Sequence, residues 1–180
     1  MIKVNEIHRM TQIGNYQINT DLKYLNDLLD HYKESYGLDL NPDFQRGHVW
    51  STEQRSKFME YLIRGGKVFQ PIIFNSPVFA GINKSKESDL SDDIVIVDGL
   101  QRLTTSLMFI DNKLSVFNGN YLLDFDDPKI ILRTIDLRIA VNSIQTKKEL
   151  VKFYIELNEG HIAHTKEELD RVKELLNNIK

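Results

Sequence analysis

The chain has 180 residues, 41% hydrophobic and 27% charged, which is typical of one globular domain spanning residues 1–180. It contains no cysteine, which excludes disulfides, thiolate zinc sites and a cysteine nucleophile. Its 23 basic and 26 acidic residues give a net charge of −3, which excludes a strongly basic surface for binding nucleic acid. No apolar run approaches the roughly 20 residues of a membrane span and the N-terminus lacks a signal-peptide core, so we expect a cytoplasmic protein without membrane contact.

The first third of the chain is predicted to form two helices followed by a strand. In each helix, apolar residues recur at helical spacing after polar residues that favour an N-terminal cap, and glycine marks the end. The two helices are residues 22–32, after Asn19 and Thr20 and before Gly37, and residues 51–62, where Ser51 and Gln54 form a capping-box pattern before Gly65-Gly66. The apolar run Pro71–Phe74 predicts the strand.

The middle of the chain is predicted to alternate between loop, strand and helix. Residues 81–93 are rich in charge and serine and lie between two apolar runs, which predicts a surface loop between partner strands. Ile94–Val97 is a β-branched run typical of a buried strand. It ends at the turn pair Asp98-Gly99, and a helix with one apolar face follows as far as Ile110.

The last third is predicted to contain further strands and two amphipathic helices. Leu114–Phe117 and Tyr121–Phe125 predict a hairpin around Asn118-Gly119, a strong type I′ turn signal. Alternating apolar residues in the second half of 130–144 predict another strand. The capped helices are residues 146–157, with Thr146 and Glu149, and residues 165–176, with Thr165 and Glu168. This mixture of helices and short strands predicts an α+β fold.

The turn between the strand and the helix of 94–110 is the first candidate binding site. A helix that begins directly after a strand and a glycine directs backbone N–H groups and the positive end of its dipole toward the sheet edge, which favours an anion. Gly99 lets a ligand approach closely, and Arg102 offers a bidentate fork for a phosphate. Thr104 and Thr105 offer hydroxyl donors, and Asp98 is better suited to hold the turn or a sugar hydroxyl. The pattern alone is equally compatible with a helix N-terminus that carries an exposed arginine.

A second candidate site lies in residues 42–67. Phe44 and Trp50 flank Gln45 and Arg46, so that polar groups are framed by two large apolar side chains, as in a pocket wall. The alternative is that both aromatic residues belong to the core and that the nearby basic residues coat a helix. These basic residues are Arg46, His48, Arg55, Lys57, Arg64 and Lys67, and we favour the helix-coating interpretation for Arg55, Lys57 and Lys67.

Four motifs together carry a resemblance to a known family. They are PDFQRGHVW (Pro42–Trp50), PIIF (Pro71–Phe74), VDGLQRLTT (Val97–Thr105) and FYIELNEGHIAHTKEEL (Phe153–Leu169). In this order the chain resembles the N-terminal domain of GmrSD-type restriction systems, which is similar to the larger ParB/sulfiredoxin-like fold. The resemblance implies a mixed-sheet domain with flanking helices that binds a nucleoside triphosphate, sometimes hydrolyses it, and serves bacterial or phage defence or counter-defence.

The resemblance also implies which residues bind the nucleotide. The family motif Asp-Gly-Gln-Gln-Arg falls on residues 98–102, so Gly99, Gln101 and Arg102 would contact phosphates, and Gln101 and Arg102 would be the catalytic residues of a hydrolase. The implied pocket also includes Gln45, Arg46, Asp98, Thr104, Thr105 and Asn158, with Mg²⁺ recruited through the phosphates. Leu100 replaces the first glutamine of the motif, which favours binding over turnover.

Two further features of the C-terminal part bear on activity. Restriction members of the family usually carry a separate His-Asn-His nuclease domain after this one, whereas here about eleven residues follow Leu169, so we expect no nuclease activity. His161 and His164 lie three apart near Glu159, a pattern more typical of solvated polar residues than of metal ligands, and no metal site is predicted.

Two other functions remain open at this point. The basic residues between Arg46 and Lys67 would suit a DNA-binding or DNA-sensing module. A chain that keeps the domain without an effector would suit a non-catalytic interaction protein, an inhibitor or decoy that binds a host or phage defence protein. An apolar stripe exposed on the C-terminal helices would in addition allow a homo-oligomer.

Overall fold

A mixed β-sheet forms the centre of the protein. The structure, a computed structural model, describes residues 11–45, residues 49–159 and Glu174. Within these residues five strands form one sheet in the order β1-β5-β3-β4-β2. The strands are β1 (Tyr16–Asp21), β2 (Leu38–Asp39), β3 (Ile72–Asn75), β4 (Ile94–Asp98) and β5 (Asp136–Asn142).

The strand pairs are both parallel and antiparallel. β1 pairs with β5 and β3 pairs with β4 in the antiparallel sense, whereas β5 pairs with β3 and β4 with β2 in the parallel sense. β3 and β4 are the partner strands predicted on either side of residues 81–93, and that segment is a loop. The α+β fold class predicted from the sequence is therefore confirmed, while its relation to the ParB/sulfiredoxin-like fold stays a prediction.

Helices cover both faces of the sheet. They are α1 (Leu25–Tyr36), α2 (Thr52–Ile63), α3 (Leu100–Ile110), α4 (Pro128–Thr134) and α5 (Lys147–Glu159), with short 3₁₀ turns at Leu22–Tyr24, Phe79–Gly81 and Leu122–Asp124. None of the helices described is both long enough and apolar enough to cross a membrane.

Side-chain alternation along the strands divides the core into two clusters. Because successive residues of a strand point to opposite faces, Ile72 and Phe74 join one cluster while Ile73 joins the other. The first cluster packs against α1, α2 and α3, and the second packs against α5, through residues such as Phe153 and Tyr154. The end of β4 is thus covered by α3 on one side and by α5 on the other.

The capping patterns located several helices correctly. Ser51 and Gln54 form the predicted capping box of α2, with the Gln54 amide N–H donating to the Ser51 hydroxyl at 3.2 Å. Thr146 precedes α5 and accepts a bond from the Glu149 amide. The helix predicted from Thr165 onward lies outside the described residues.

Two predictions near the N-terminus were wrong or incomplete. Asn19 and Thr20 do not begin a helix but belong to β1, which the sequence did not reveal. Asp21 caps the following 3₁₀ turn instead, its carboxylate accepting the Tyr24 amide at 3.2 Å, and α1 continues from Leu25. β1 is an edge strand in which three of the six residues are exposed, so it lacks the strong apolar alternation that marks a buried strand.

The hairpin predicted around Asn118-Gly119 was also wrong. Val116 and Asn120 form a single bridge, so the loop holds three residues instead of two, and all three of them have positive φ. The chain cannot continue as a paired strand because the Asp124 carboxylate accepts the Tyr121 amide at 2.7 Å and closes the 3₁₀ turn Leu122–Asp124. Downstream, the strand predicted in the second half of 130–144 is confirmed as β5.

Candidate functional site

The strand–glycine–helix turn forms as predicted. β4 ends at Asp98, Gly99 has a left-handed φ of 92°, and α3 begins at Leu100. A Cβ at Gly99 would lie 3.0 Å from both Cα and Cγ1 of Ile72 and 3.1 Å from the Arg102 guanidinium. Glycine is therefore required here by the backbone conformation and by close packing of the turn against β3, independently of any ligand.

The N-terminus of α3 opens at this turn, and no side chain of the described residues caps it. The first intrahelical bond runs from the Leu103 amide to the Gly99 carbonyl at 2.9 Å. The backbone N–H groups of Leu100, Gln101 and Arg102 have no carbonyl acceptor within the helix, and Gly99 has no side chain that could accept from them. The positive end of the helix dipole and these N–H groups together favour an anion at this point.

Arg102 braces the turn from within the protein. Its side chain is 13% exposed, and its Nη2 donates to the Asp98 carboxylate at 2.8 Å and to the Pro71 carbonyl at 3.0 Å. Its Nη1 donates to the Gln70 carbonyl. Burial lowers the pKa of the guanidinium and the Asp98 carboxylate opposes that shift, and an arginine remains charged under these conditions. Arg102 is thus not the exposed arginine that the sequence allowed, and it ties α3 to the residues that lead into β3.

Gln101 holds the segment that precedes α2. Its side chain is buried, and its Oε1 accepts both the Val49 amide and the Trp50 amide at 3.2 Å. The Trp50 ring packs against Phe58 with their centroids 5.3 Å apart. Trp50 is also one of the residues that line the cavity at this turn, whereas Phe44 is a core residue that packs on Tyr154.

Two more amide side chains reach the same place from other elements. Gln45 lies in the loop after β2, and its Nε2 donates to the Val97 carbonyl at 3.4 Å. Asn158 lies on α5, is buried, and its Nδ2 donates to the Tyr154 carbonyl one turn earlier at 2.6 Å. These contacts fix both amides beside the end of β4.

A cavity of about 110 Å³ collects these groups. It is lined by Gln45, Trp50, Asp98, Gly99, Leu100, Gln101, Arg102, Tyr154 and Asn158. Six of the nine residues predicted to bind nucleotide therefore meet in one place, although they come from three separate parts of the chain. The sequence did not predict Tyr154 as a lining residue. It lies four residues before Asn158 on the same helix, and this spacing, which places both side chains on one face, could have indicated it.

Two of the remaining predicted residues, Thr104 and Thr105, do not line this cavity. Thr104 and Thr105 face α2, and their hydroxyls accept the Arg55 guanidinium at 3.3 Å. Arg46 lies outside the described residues, as do His161 and His164, so what was predicted for them stays a prediction.

The basic residues of 42–67 have separate surroundings. The helix-coating interpretation is right for Lys57, whose side chain is 71% exposed on α2. Lys67 is also exposed, at 63%, but it lies in the loop after α2 and does not coat a helix. The interpretation is wrong for Arg55, which is 7% exposed between α2 and α3. Lys57 pairs with Glu53, and Arg64 lies over the Phe117 ring at 5.1 Å. The burial of Arg55 could not be predicted from the sequence because it depends on the packing of two helices.

Comparison with known proteins identifies the family. A family model of the GmrSD restriction endonuclease N-terminal domain matches residues 25–180, most of the chain. The chain belongs to this family. No curated protein and no solved structure matches it.

The cavity of this GmrSD N-terminal domain is electrostatically balanced. Its charged lining residues within the described chain are Asp98 and Arg102, which pair with each other. Leu100 is buried, packs in the core and also lines the cavity. The other polar side chains that line the cavity are the amides of Gln45, Gln101 and Asn158 and the hydroxyl of Tyr154.

Proposed function

We propose that this chain is a nucleoside-triphosphate-binding domain of a restriction or phage-defence system and that the phosphates bind in the cavity at the Gly99 turn. The observation that carries the proposal is the convergence of an uncapped helix N-terminus, a carboxylate and amide side chains on one cavity in a chain of this family. This is the combination that orients a phosphate through many hydrogen bonds rather than through one cation.

The charge of the cavity argues for a divalent cation with the nucleotide. Among the described residues that line the cavity, the charges of Asp98 and Arg102 cancel, so the α3 dipole, equivalent to about +0.5 elementary charge, is the fixed attraction for a triphosphate that they leave. Mg²⁺ is commonly bound by one or two carboxylates together with substrate phosphates. Asp98 is the carboxylate that lines the cavity and would supply such a ligand. We therefore expect binding to depend on Mg²⁺.

The size of the cavity supports its assignment to the phosphate end of the ligand. Pockets that enclose a whole small molecule usually measure roughly 300–1,000 Å³, well above the 110 Å³ found here. We assign the base to the half-buried Trp50 ring, since stacking of a base on an aromatic side chain is worth about 1–3 kcal/mol and tolerates any base.

The proposed roles of the side chains follow from their contacts. Gln45 and Asn158 would donate amide N–H groups to phosphate oxygens, and Arg46, beside Gln45 in the sequence, would add a charge. Arg102 has an Nε–H and a second Nη1–H beyond its described contacts and would direct one of them at a phosphate.

Binding without rapid hydrolysis is the activity that we propose. Both predicted catalytic residues, Gln101 and Arg102, are engaged by protein groups, and the Asp98 carboxylate is held by Arg102. Leu100 offers no polar atom to orient a water. We expect phosphate release below about 1 s⁻¹, the lower end of ordinary enzyme turnover. Faster release from ATP, GTP, CTP or UTP would overturn this part of the proposal.

Calorimetric titration with each of these four triphosphates, with and without Mg²⁺, tests the proposal. Gln45→Leu removes an amide from the cavity and should weaken binding about tenfold, as expected for one lost hydrogen bond to a charged group. Gln17→Leu is the matched control, because Gln17 is exposed on the edge strand β1. The proposal fails if none of the four nucleotides binds, or if Gln45→Leu binds as tightly as Gln17→Leu.

A further inference from the structure

Arg55 is a buried cation that has no carboxylate partner among the described residues. Its side chain lies between α2 and α3, and within the described residues it forms hydrogen bonds but no ion pair. A buried charge is costly, and replacing buried ionic groups with apolar side chains of similar size is often neutral or stabilising. Helix packing alone would therefore be served as well by a methionine at this position.

The contacts of Arg55 connect the wall of the cavity to α3. Its Nε donates to the Trp50 carbonyl at 3.3 Å, and its Nη1 donates to the hydroxyls of Thr104 and Thr105 at 3.3 Å. The Thr104 hydroxyl in turn donates to the Leu100 carbonyl at 2.8 Å. A continuous chain of hydrogen bonds thus runs from Trp50 through Arg55 and Thr104 to the first turn of α3.

The backbone of Trp50 is consequently held from both sides. Gln101 accepts its N–H at 3.2 Å, while Arg55 donates to its C=O. Both restraints come from groups attached to α3 or bonded to it. The backbone of Trp50, a residue that lines the cavity, and the N-terminus of α3 are therefore fixed relative to each other.

We infer that Arg55 is a positioning residue of the nucleotide site, which holds the Trp50 wall in register with the N-terminus of α3. This inference rests on the proposed function, because it is triphosphate binding that needs the two surfaces together. It assigns Thr104 and Thr105 to the site as supports of Arg55 rather than as phosphate contacts. Arg55 itself does not touch the ligand.

Arg55→Met tests the inference, because methionine keeps the length and the packing but cannot donate to the Trp50 carbonyl. We expect Mg²⁺-triphosphate binding to weaken about tenfold, the effect of one lost hydrogen bond to a charged group. Trp50 is the only tryptophan of the chain, so its emission reports on this wall alone. In the ligand-free protein, acrylamide should quench Trp50 more strongly in Arg55→Met than in the parent, with an unchanged circular dichroism spectrum.

Two further variants complete the design. Lys57→Met likewise replaces a cationic side chain with methionine, but at an exposed position of α2, and should match the parent in affinity and in quenching. Thr104→Val breaks the same hydrogen-bond chain one link further on and decides the question if Arg55→Met does not fold. Arg55→Lys, which keeps the charge and a single donor nitrogen, should bind more tightly than Arg55→Met and less tightly than the parent.

The outcomes separate this inference from the proposed function. Parent-like affinity and parent-like quenching in a folded Arg55→Met, or in Thr104→Val if the former does not fold, would overturn the positioning role. If the parent itself binds no triphosphate, the proposed function fails, and the quenching comparison then tests only whether Arg55 holds Trp50. A loss of thermal stability with neither effect would mean that Arg55 is purely structural and would overturn the inference.

Discussion

Replacing Gly99 with alanine would introduce a methyl group at the turn on which the cavity is built. Two costs follow from the structure. The φ of 92° places an L-residue in the left-handed region, which costs about 1–2 kcal/mol. The new Cβ would also lie 3.0 Å from the Ile72 backbone, and such overpacking typically costs about 1–3 kcal/mol. Together they predict a loss of about 2–5 kcal/mol in the free energy of unfolding.

Gly65→Ala separates these two costs. Gly65 has a φ of 88°, almost that of Gly99, but nothing lies within 4 Å of its Cβ position. Gly65→Ala should therefore show only the conformational cost. At about 2–4 °C per kcal/mol for a chain of this size, thermal unfolding should fall by about 4–20 °C in Gly99→Ala and by less in Gly65→Ala. Equal stability of the two variants would refute the close packing between the turn and β3.

Two other predictions concern buried polar groups. Arg102→Ala should lower the free energy of unfolding by about 2–4 kcal/mol, because it leaves the Asp98 carboxylate and two carbonyls without their donor. Chemical denaturation checks this against the exposed control Lys57→Ala. Equal stability of the two variants would contradict the bracing role. Tyr32→Phe should raise stability by about 1 kcal/mol, since the buried Tyr32 hydroxyl has no hydrogen-bond partner in the described part of the chain. Burial also raises the pKa of this phenol, because the folded protein favours its neutral form. Ionisation therefore does not affect stability below pH about 10, the pKa of tyrosine in the unfolded chain, and lowers the free energy of unfolding as the pH rises above that value. Denaturation between pH 9 and pH 11 should therefore show a smaller loss in Tyr32→Phe than in the exposed control Tyr24→Phe, and identical pH profiles would contradict the burial argument.

The sequence predicted those elements whose signals are local. A capping box such as Ser51 with Gln54 needs only four consecutive residues, and the turn at Asp98-Gly99 follows directly from a β-branched run and a glycine. The chain does turn at Asn118-Gly119, where both residues have positive φ. The predicted hairpin was nevertheless wrong, because the Asp124 carboxylate closes a 3₁₀ turn where the second strand was expected.

The candidate site was predictable in its residues but not in its contacts. The motifs around Gln45, Gly99 and Asn158 identified the groups that meet at the cavity. No local pattern shows that Arg102 is occupied by the carbonyls before β3, or that Arg55 is buried between two helices, because both depend on long-range packing.

Backbone amide NMR during titration with a Mg²⁺-triphosphate tests the central claim most directly. If phosphates bind at the Gly99 turn, the largest shifts should fall on the amides of residues 99–102 and on the indole N–H of Trp50, while β1, at the edge of the sheet, stays unchanged. Omission of Mg²⁺ should weaken or abolish these shifts. Saturable binding whose largest shifts lie elsewhere, with residues 99–102 unaffected, would contradict the account.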